Sequence, residues 1–216
     1  MSELTIWGRR SSFNVQKVLW ALDELGLSYE HRDAGGSYGG LETPDFLAMN
    51  PHGRVPVVRD GSLVVWESNS IVRYLAARYG AGSLWPVSPA ERSFADRWID
   101  WSATALQPDF MKLFWGHYRT PAAQRNLPEL DSALAACTRH YRALDSHLAK
   151  QPFLASDVFT MADIPAGTSL YRYFKMGLPV EQPPAVMAWY ERLQCRGAFQ
   201  RHVMVPFDEL HGRLAY

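Results

Sequence analysis

The hydrophobic pattern of this chain changes period once along its length, and that change limits the folds open to it. Up to Gly80, short strand-like runs alternate with helix-like runs; from Pro89 onward no alternating strand pattern occurs and helical spacing takes over. An α/β layer followed by an all-α layer answers to such an order. In the first part, Leu4 to Trp7 makes a strand. Val15, Val18, Leu19, Leu22 and Leu25 then recur at helical spacing until Gly26, with Lys17, Asp23 and Glu24 on the other faces. Residues 29–33 offer a second strand. The string Gly35-Gly36-Ser37-Tyr38-Gly39-Gly40 can propagate neither regular structure and reads as loop. Residues 55–59 and 63–66 flank Asp60-Gly61, a hairpin signal, and Ser68 opens an apolar-periodic run through Ile71, Leu75 and Tyr79.

Strand, helix, strand, loop or short helix, then strand-turn-strand and helix is the order of a thioredoxin-like domain. The following Gly-, Pro- and Ser-rich segment suits a linker and ends in Ser88-Pro89-Ala90-Glu91, where Ser can cap, Pro can take the first helical position and Glu can return the bond. The expected division is 1–80, a linker at 81–88, and an all-helical 89–216, in keeping with a length of 216 residues. A long helix carries Phe94, Trp98, Trp101 and Leu106, with Pro108 as a kink. Another follows Pro128 through Leu130, Leu134, Tyr141, Leu144 and Leu148. Thr160-Met161-Ala162-Asp163 is a second capping signature, starting a helix that reaches Met176, and 184–196 is a further helix.

Charge and composition narrow the function. Twenty-two Lys and Arg offset twenty-two Asp and Glu, so no overall field exists to hold nucleic acid or an anionic membrane. The longest uncharged stretch, 79–90, is broken by glycines and prolines, so no membrane span is expected, and the first residues carry no secretory pattern; a cytoplasmic protein is expected. Cys137 and Cys195 lie far apart, outside redox or zinc spacing, and read as small buried hydrophobes. His140 and His147, two turns apart without a third ligand, suit a solvated helix face, and no metal is expected. The glycine cluster lacks a phosphate-loop lysine, which argues against a nucleotide, and no Gly-x-Ser-x-Gly elbow supports a hydrolase triad.

Three segments at element junctions can carry chemistry. In Arg10-Ser11-Ser12-Phe13-Asn14-Val15-Gln16-Lys17-Val18, serines and an asparagine sit between a strand and a helix start, where unpaired N–H groups attract an anion; Ser and Asn are equally the commonest N-caps. In Asn50-Pro51-His52-Gly53-Arg54-Val55-Pro56, the proline opens a strand. With a cis bond, the Val55 backbone is free to pair with an extended peptide; with a trans bond, it is an ordinary edge proline. In Trp66-Glu67-Ser68-Asn69, a carboxylate can take bonds from Ser68 while Glu67 takes an ammonium group, or the pair simply caps a helix.

Together the three segments resemble the cytosolic glutathione transferase family over nearly the whole chain. The Ser-x-Asn-Val-x-x-Val string of Ser12 to Val18, the Asn-Pro-x-Gly-Arg-Val-Pro string of Asn50 to Pro56 and the Glu67-Ser68 pair match in order and spacing. Phe159-Thr160-Met161-Ala162-Asp163 resembles the family's structural capping motif. The resemblance implies a thioredoxin-like N-terminal domain plus an all-α C-terminal domain, glutathione as co-substrate and a homodimer. It matches Ser12 to the residue that hydrogen-bonds the glutathione sulfur in serine-type classes, theta and nu-like bacterial members among them, with Ser11 as competitor and Asn14 as second donor. It further implies that Pro56 is the family's cis-proline with Val55 pairing to the cysteinyl backbone, that Glu67 and Ser68 hold the γ-glutamyl end, and that Arg54, helped by His52, binds the glycine carboxylate. Phe13, Phe110, Phe114 and Trp115 are the expected apolar wall for a hydrophobic electrophile, with Tyr171 and Tyr173 as secondary candidates. No tyrosine or cysteine occupies the first-helix site. The implied activity is conjugation of glutathione to electrophiles, as in detoxification; glutathione-dependent disulfide or peroxide reduction and a noncatalytic binding role are the alternatives.

Overall fold

The computed structural model describes residues 4–214. Four short strands, β1 (Leu4–Trp7), β2 (Tyr29–Arg32), β3 (Val57–Asp60) and β4 (Leu63–Trp66), form one sheet in the order β2-β1-β3-β4. β1 runs parallel to β2, which requires the crossover helix α1 (Phe13–Glu24), and antiparallel to β3. Strand alternation gives each face its own apolar set. Leu4, Ile6 and Val58 join α1 and α3 (Ser68–Tyr79), whereas Trp7 and Val57 pack with Phe46 of the short helix α2 (Pro44–Met49). The hairpin pairs Asp60 with Leu63, so its two-residue loop is Gly61-Ser62, one residue beyond the Asp60-Gly61 expected. Asp60 keeps a paired backbone and uses its carboxylate to accept from the Tyr74 hydroxyl at 2.7 Å and from that of Tyr79.

From Pro89 the described chain is helical. A rod begins with α4 (Pro89–Trp101), passes through a wide π turn at Ser102–Leu106, continues as α5 (Gln107–Leu113) and ends in a second wide turn, Phe114–Arg119. The irregularity expected at Pro108 thus takes the form of a wider turn ahead of the proline, and Leu106 stays in the helical region at φ −63° and ψ −51°. The long α6 (Leu127–Leu148), then α7 (Asp163–Lys175), α8 (Pro184–Gln194) and α9 (Gly197–His202) complete the bundle. Asp163 is fully buried and its carboxylate accepts from Leu154 N (2.9 Å), Thr160 N (3.0 Å) and the Trp189 indole (3.1 Å), which ties the capping loop to α8; burial pushes its pKa up to about 6. No described helix is long and apolar enough to cross a membrane.

One buried apolar cluster runs through both halves, and α1 is its shared element. Trp20 is fully buried, with its ring 4.8 Å from Phe199 and 5.5 Å from Phe159, and its indole donates to Glu24 at 2.9 Å. Glu24 also receives both arms of Arg196, at 2.8 and 2.6 Å, and Asp23 receives Arg201. Asp23 and Glu24, on other faces of α1 than its apolar stripe, therefore latch it to the helical half. Two further expectations change. Cys137 is buried, its thiol pushed up to about 12 by burial, but Cys195 just past α8 is exposed. His140 and His147 do not face solvent: His140 lies 3.0 Å from Asp109 with its ring against Trp101, and His147 meets the Leu154 carbonyl at 2.9 Å with its ring against Trp98. Apolar rings on the rod face α6 at both positions, so the histidines serve as partly buried packing groups with a polar tip.

Candidate active site

β1 delivers the chain to α1 through Gly8, which has φ 146°. A Cβ there would stand 2.4 Å from Val15 Cγ2, so only glycine lets the loop close down on the helix start. Ser12 then occupies the N-cap position of α1, with φ −74° and ψ 123°, and its carbonyl accepts from Gln16 N at 3.0 Å. Its hydroxyl makes no capping bond. It lines instead a cavity of about 460 Å³ shared with Phe13, Asn14, Arg54, Val55, Gln107, Met111, Phe114, Trp115 and Arg172. Ser11 lines the cavity as well, but its carbonyl is bonded to Arg172 Nη2 at 2.7 Å.

Asn14 is the centre of a polar network beneath this cavity. Its Oδ1 accepts from Lys17 Nζ (3.0 Å), Gln107 Nε2 (3.2 Å) and Ser68 Oγ (3.3 Å). Three donors on the oxygen fix the amide orientation and leave Nδ2 as the group offered to the cavity. Lys17 is fully buried, and its three N–H groups have three oxygen partners: Asn14, Gln107 Oε1 at 2.6 Å and Asn69 Oδ1 at 3.5 Å. Burial lowers its pKa from the ordinary lysine value to about 7, against the upward pull of Glu67. Lys17, on another face of α1 than the apolar stripe, is buried because two halves of the molecule meet around it, α1 and α3 from one and α5 from the other.

The remaining segments converge on the same sheet edge. Asn50 shapes the loop ahead of β3: its Nδ2 donates to the Arg54 carbonyl at 2.8 Å and its Oδ1 accepts from His52 N at 3.1 Å. The Val55-Pro56 bond is cis, and Val55 faces the cavity just before the ladder that begins at Val57. Pro56 is buried while Arg54 and His52 are exposed; the His52 ring rests edge-on against Trp66, 5.1 Å away. Glu67, between β4 and α3, has φ 68°, the left-handed region a non-glycine side chain rarely adopts, and makes no side-chain cap to α3. Such a conformation persists where the surroundings impose it, and it is found disproportionately at ligand sites. It holds Ser68, 5% exposed, in reach of Asn14.

The apolar wall needs one correction. Phe13, Phe114 and Trp115 line the cavity, but Phe110 is fully buried, 5.4 Å from the Phe13 ring and 6.0 Å from that of Phe114, so it backs the wall without reaching the space. Tyr173, 1% exposed and 4.3 Å from Tyr141, is likewise core. Met111 and Leu210 complete the wall, and Gln107 and Arg172 add polar groups from the helical half. None of these four was singled out from sequence. For Lys17 a signal existed, since it lies one helical turn from Asn14 on the same face. For Arg172 no local signal exists, because its partner is 161 residues away.

The comparisons with known proteins agree along the chain. The model of the glutathione S-transferase N-terminal domain matches residues 2–77, and that of the glutathione S-transferase C-terminal domain matches 121–192. Glutathione S-transferase GstB of Escherichia coli K12 is 42% identical over 205 residues, covering 94% of this chain and 99% of that protein. Glutathione S-transferase 3 of Zea mays is 32% identical, covering 94% of each. Among solved structures, the theta class glutathione S-transferase of the citrus canker pathogen Xanthomonas axonopodis pv. citri, with glutathione bound, superposes with a TM-score of 0.91 at 46% identity, covering 95% of this chain and 99% of that one. With both domain models matched in order and full-length relatives of this similarity, the chain belongs to the glutathione S-transferase family.

Proposed function

We propose that this chain is a glutathione transferase that binds glutathione along the edge formed by Val55, Pro56, Glu67 and Ser68, and stabilises its sulfur as thiolate at the start of α1. The carrying observation is the Ser12 hydroxyl: it stands at a helix N-cap yet is not spent on the cap, and it faces the cavity together with Asn14. A thiol with a pKa near ~8.5 is mostly protonated at neutral pH, so conjugation needs the anion favoured. Lowering that pKa by about two units takes roughly 2.7 kcal/mol. One charge-assisted hydrogen bond of about 1.5–3 kcal/mol, with the helix dipole and the Asn14 amide, is enough. Ser12 donates and does not act as a base. The thiolate then forms the bond to an electrophilic carbon while the leaving group departs with its electron pair.

In this reading Val55 pairs with the cysteinyl backbone, Glu67 takes the γ-glutamyl ammonium group, Ser68 its carboxylate, and Arg54 at the cavity edge takes the glycine carboxylate, with His52 at the rim. Phe13, Phe114 and Trp115 contact the second substrate. The unit 1–80 carries the glutathione half and 89–216 the acceptor half, joined by 81–88; a cytoplasmic homodimer is the proposed working form. Incubating the protein with glutathione and chlorodinitrobenzene tests this. A thioether product with release of chloride is expected. Oxidised glutathione formed from a disulfide or peroxide, with no thioether, would assign the site to reduction instead.

A further inference from the structure

Beneath the cavity lies a charge that glutathione recognition by the sheet edge leaves unexplained. Lys17 is fully buried, and it does not line the space, whereas Asn14 and Gln107 do. Its Nζ is met by acceptors: the amide oxygens of Asn14 on α1 at 3.0 Å, Gln107 on α5 at 2.6 Å and Asn69 on α3 at 3.5 Å, with the Phe13 ring centre 4.9 Å away. Three oxygens and an aromatic ring suit an ammonium group with its three N–H donors; a neutral amine would turn a lone pair toward one of the oxygens. These hydrogen-bond partners are all neutral amides. The charge that acts on Lys17 is that of Glu67, at the start of α3, which raises its pKa against the larger lowering by burial that brings it to about 7. An apolar side chain of similar length would cost the fold less than a cation taken out of water, so the charge calls for a use.

Asn14 connects that charge to the cavity. Its Oδ1 takes the Lys17 bond together with those of Gln107 Nε2 and Ser68 Oγ, which leaves Nδ2, at the other end of the same conjugated amide, for the space where the sulfur lies in the reading above. We propose that Lys17 is a positioning residue for the reaction: its ammonium group holds the Asn14 amide with Nδ2 outward and, by drawing electron density toward Oδ1, makes that amide a stronger donor to the glutathione thiolate. Polarisation of one hydrogen bond by the next is stronger in such a dry setting than in water. Linkage makes the effect mutual. What the ammonium group contributes to the thiolate, the thiolate returns, keeping Lys17 charged at pH values where the empty site lets its proton go. Gln107 accepts from Lys17 and donates to Asn14, so the donor is fully set only with the helical half seated on α1.

The proposal rests on the glutathione reading, and its test separates the two. The thiolate absorbance of bound glutathione is titrated against pH in wild type, Lys17→Met, Asn14→Leu and the double variant, and calorimetry measures affinity for S-methylglutathione, which has no thiol to ionise. In Lys17→Met the bound thiol is expected to titrate about one pKa unit higher than in wild type, about tenfold in its ionisation constant, and the acid limb of kcat/KM for conjugation moves with it. Affinity for S-methylglutathione stays within about threefold. In the Asn14→Leu background the same substitution adds little, because the path to the sulfur is already cut. A bound-thiol pKa that Lys17→Met leaves in place overturns the proposal. So does a loss of S-methylglutathione affinity of about tenfold, the mark of a collapsed site, and so does an effect undiminished in Asn14→Leu, which would put the charge on the sulfur directly. If Lys17→Met does not fold, Lys17→Gln, which keeps a donor and drops the charge, gives the same comparison. Absence of glutathione binding, or a wild-type bound thiol that titrates like the free one, overturns the glutathione reading and this inference with it; a depressed wild-type pKa with any of the three negative results overturns the inference alone.

Discussion

At Ser12 the hydroxyl separates the two roles open to a serine at a helix start. A capping serine turns its oxygen back to the N–H groups of the first turn; this one holds the N-cap backbone and gives its side chain to the cavity. Ser12→Ala is therefore expected to leave α1 nearly as stable while lowering kcat/KM for conjugation about 10- to 100-fold, with a much smaller change in glutathione affinity. Ser11→Ala should be nearly silent, because the bond Ser11 makes is through its backbone carbonyl; the reverse result in steady-state kinetics would put the donor at Ser11. Lys17 shows what helical spacing alone leaves open. On helical spacing alone it falls outside the apolar stripe, and only the arrival of Gln107 from α5 and Asn69 from α3 buries it. Its folded pKa near 7 lies below that of an unfolded lysine. Between those two values the unfolded chain binds more protons, so this group's contribution raises stability as pH climbs from about 7 toward 10, and its full cost is present below that window. Lys17→Met should flatten that rise in urea titrations run across the window. A wild-type and a variant curve of equal slope would mean that Lys17 stays protonated throughout.

At the level of elements, α1 does two jobs. Its first turn presents the site and its last turns clamp the two halves through Trp20 and Glu24. Gly167 on α7 is where Trp20 fits: a Cβ there would stand 2.9 Å from Leu193 Cδ1 and 3.1 Å from the Trp20 ring. Gly167→Ala gains up to about 1 kcal/mol of helix propensity but overpacks the contact by about 1–3 kcal/mol. The net expectation is a loss of about 1–2 kcal/mol in denaturant unfolding, and a stabilised variant would show that Leu193 yields freely. Elements with strong local signals were legible from sequence: the Gly26 end of α1, the hairpin to within one residue, and the Asp163 cap. Side-chain partners between elements were not. Latch acids and packing histidines carry the same residue types as a solvated face, and what distinguishes them arrives from another part of the chain.

Over the whole molecule, the site exists because two layers meet. The thioredoxin-like half supplies Ser12 and Val55 to the cavity and Ser68 to the network at Asn14, the helical half supplies Gln107, Phe114 and Arg172, and one apolar cluster passes between them. Unfolding followed by tryptophan fluorescence and by far-ultraviolet dichroism should give coincident transitions, since the main apolar cluster spans both halves and only the small set around Trp7, Phe46 and Val57 belongs to one of them; two resolved steps would show that the halves fold independently. Motif order along the chain made the two-layer organisation and half of the cleft readable in advance. The acceptor half was obscured because helical aromatic stripes look alike whether they face a core or a cavity, as Phe110 and Phe114 illustrate. The account turns on the ionisation of bound glutathione. A pH titration of thiolate ultraviolet absorbance in the binary complex is expected to give a pKa about two units below the ~8.5 of a free thiol, and a value returned most of the way toward it in Ser12→Ala. A bound thiol that titrates like the free one, or a shift that Ser12→Ala leaves intact, would contradict it.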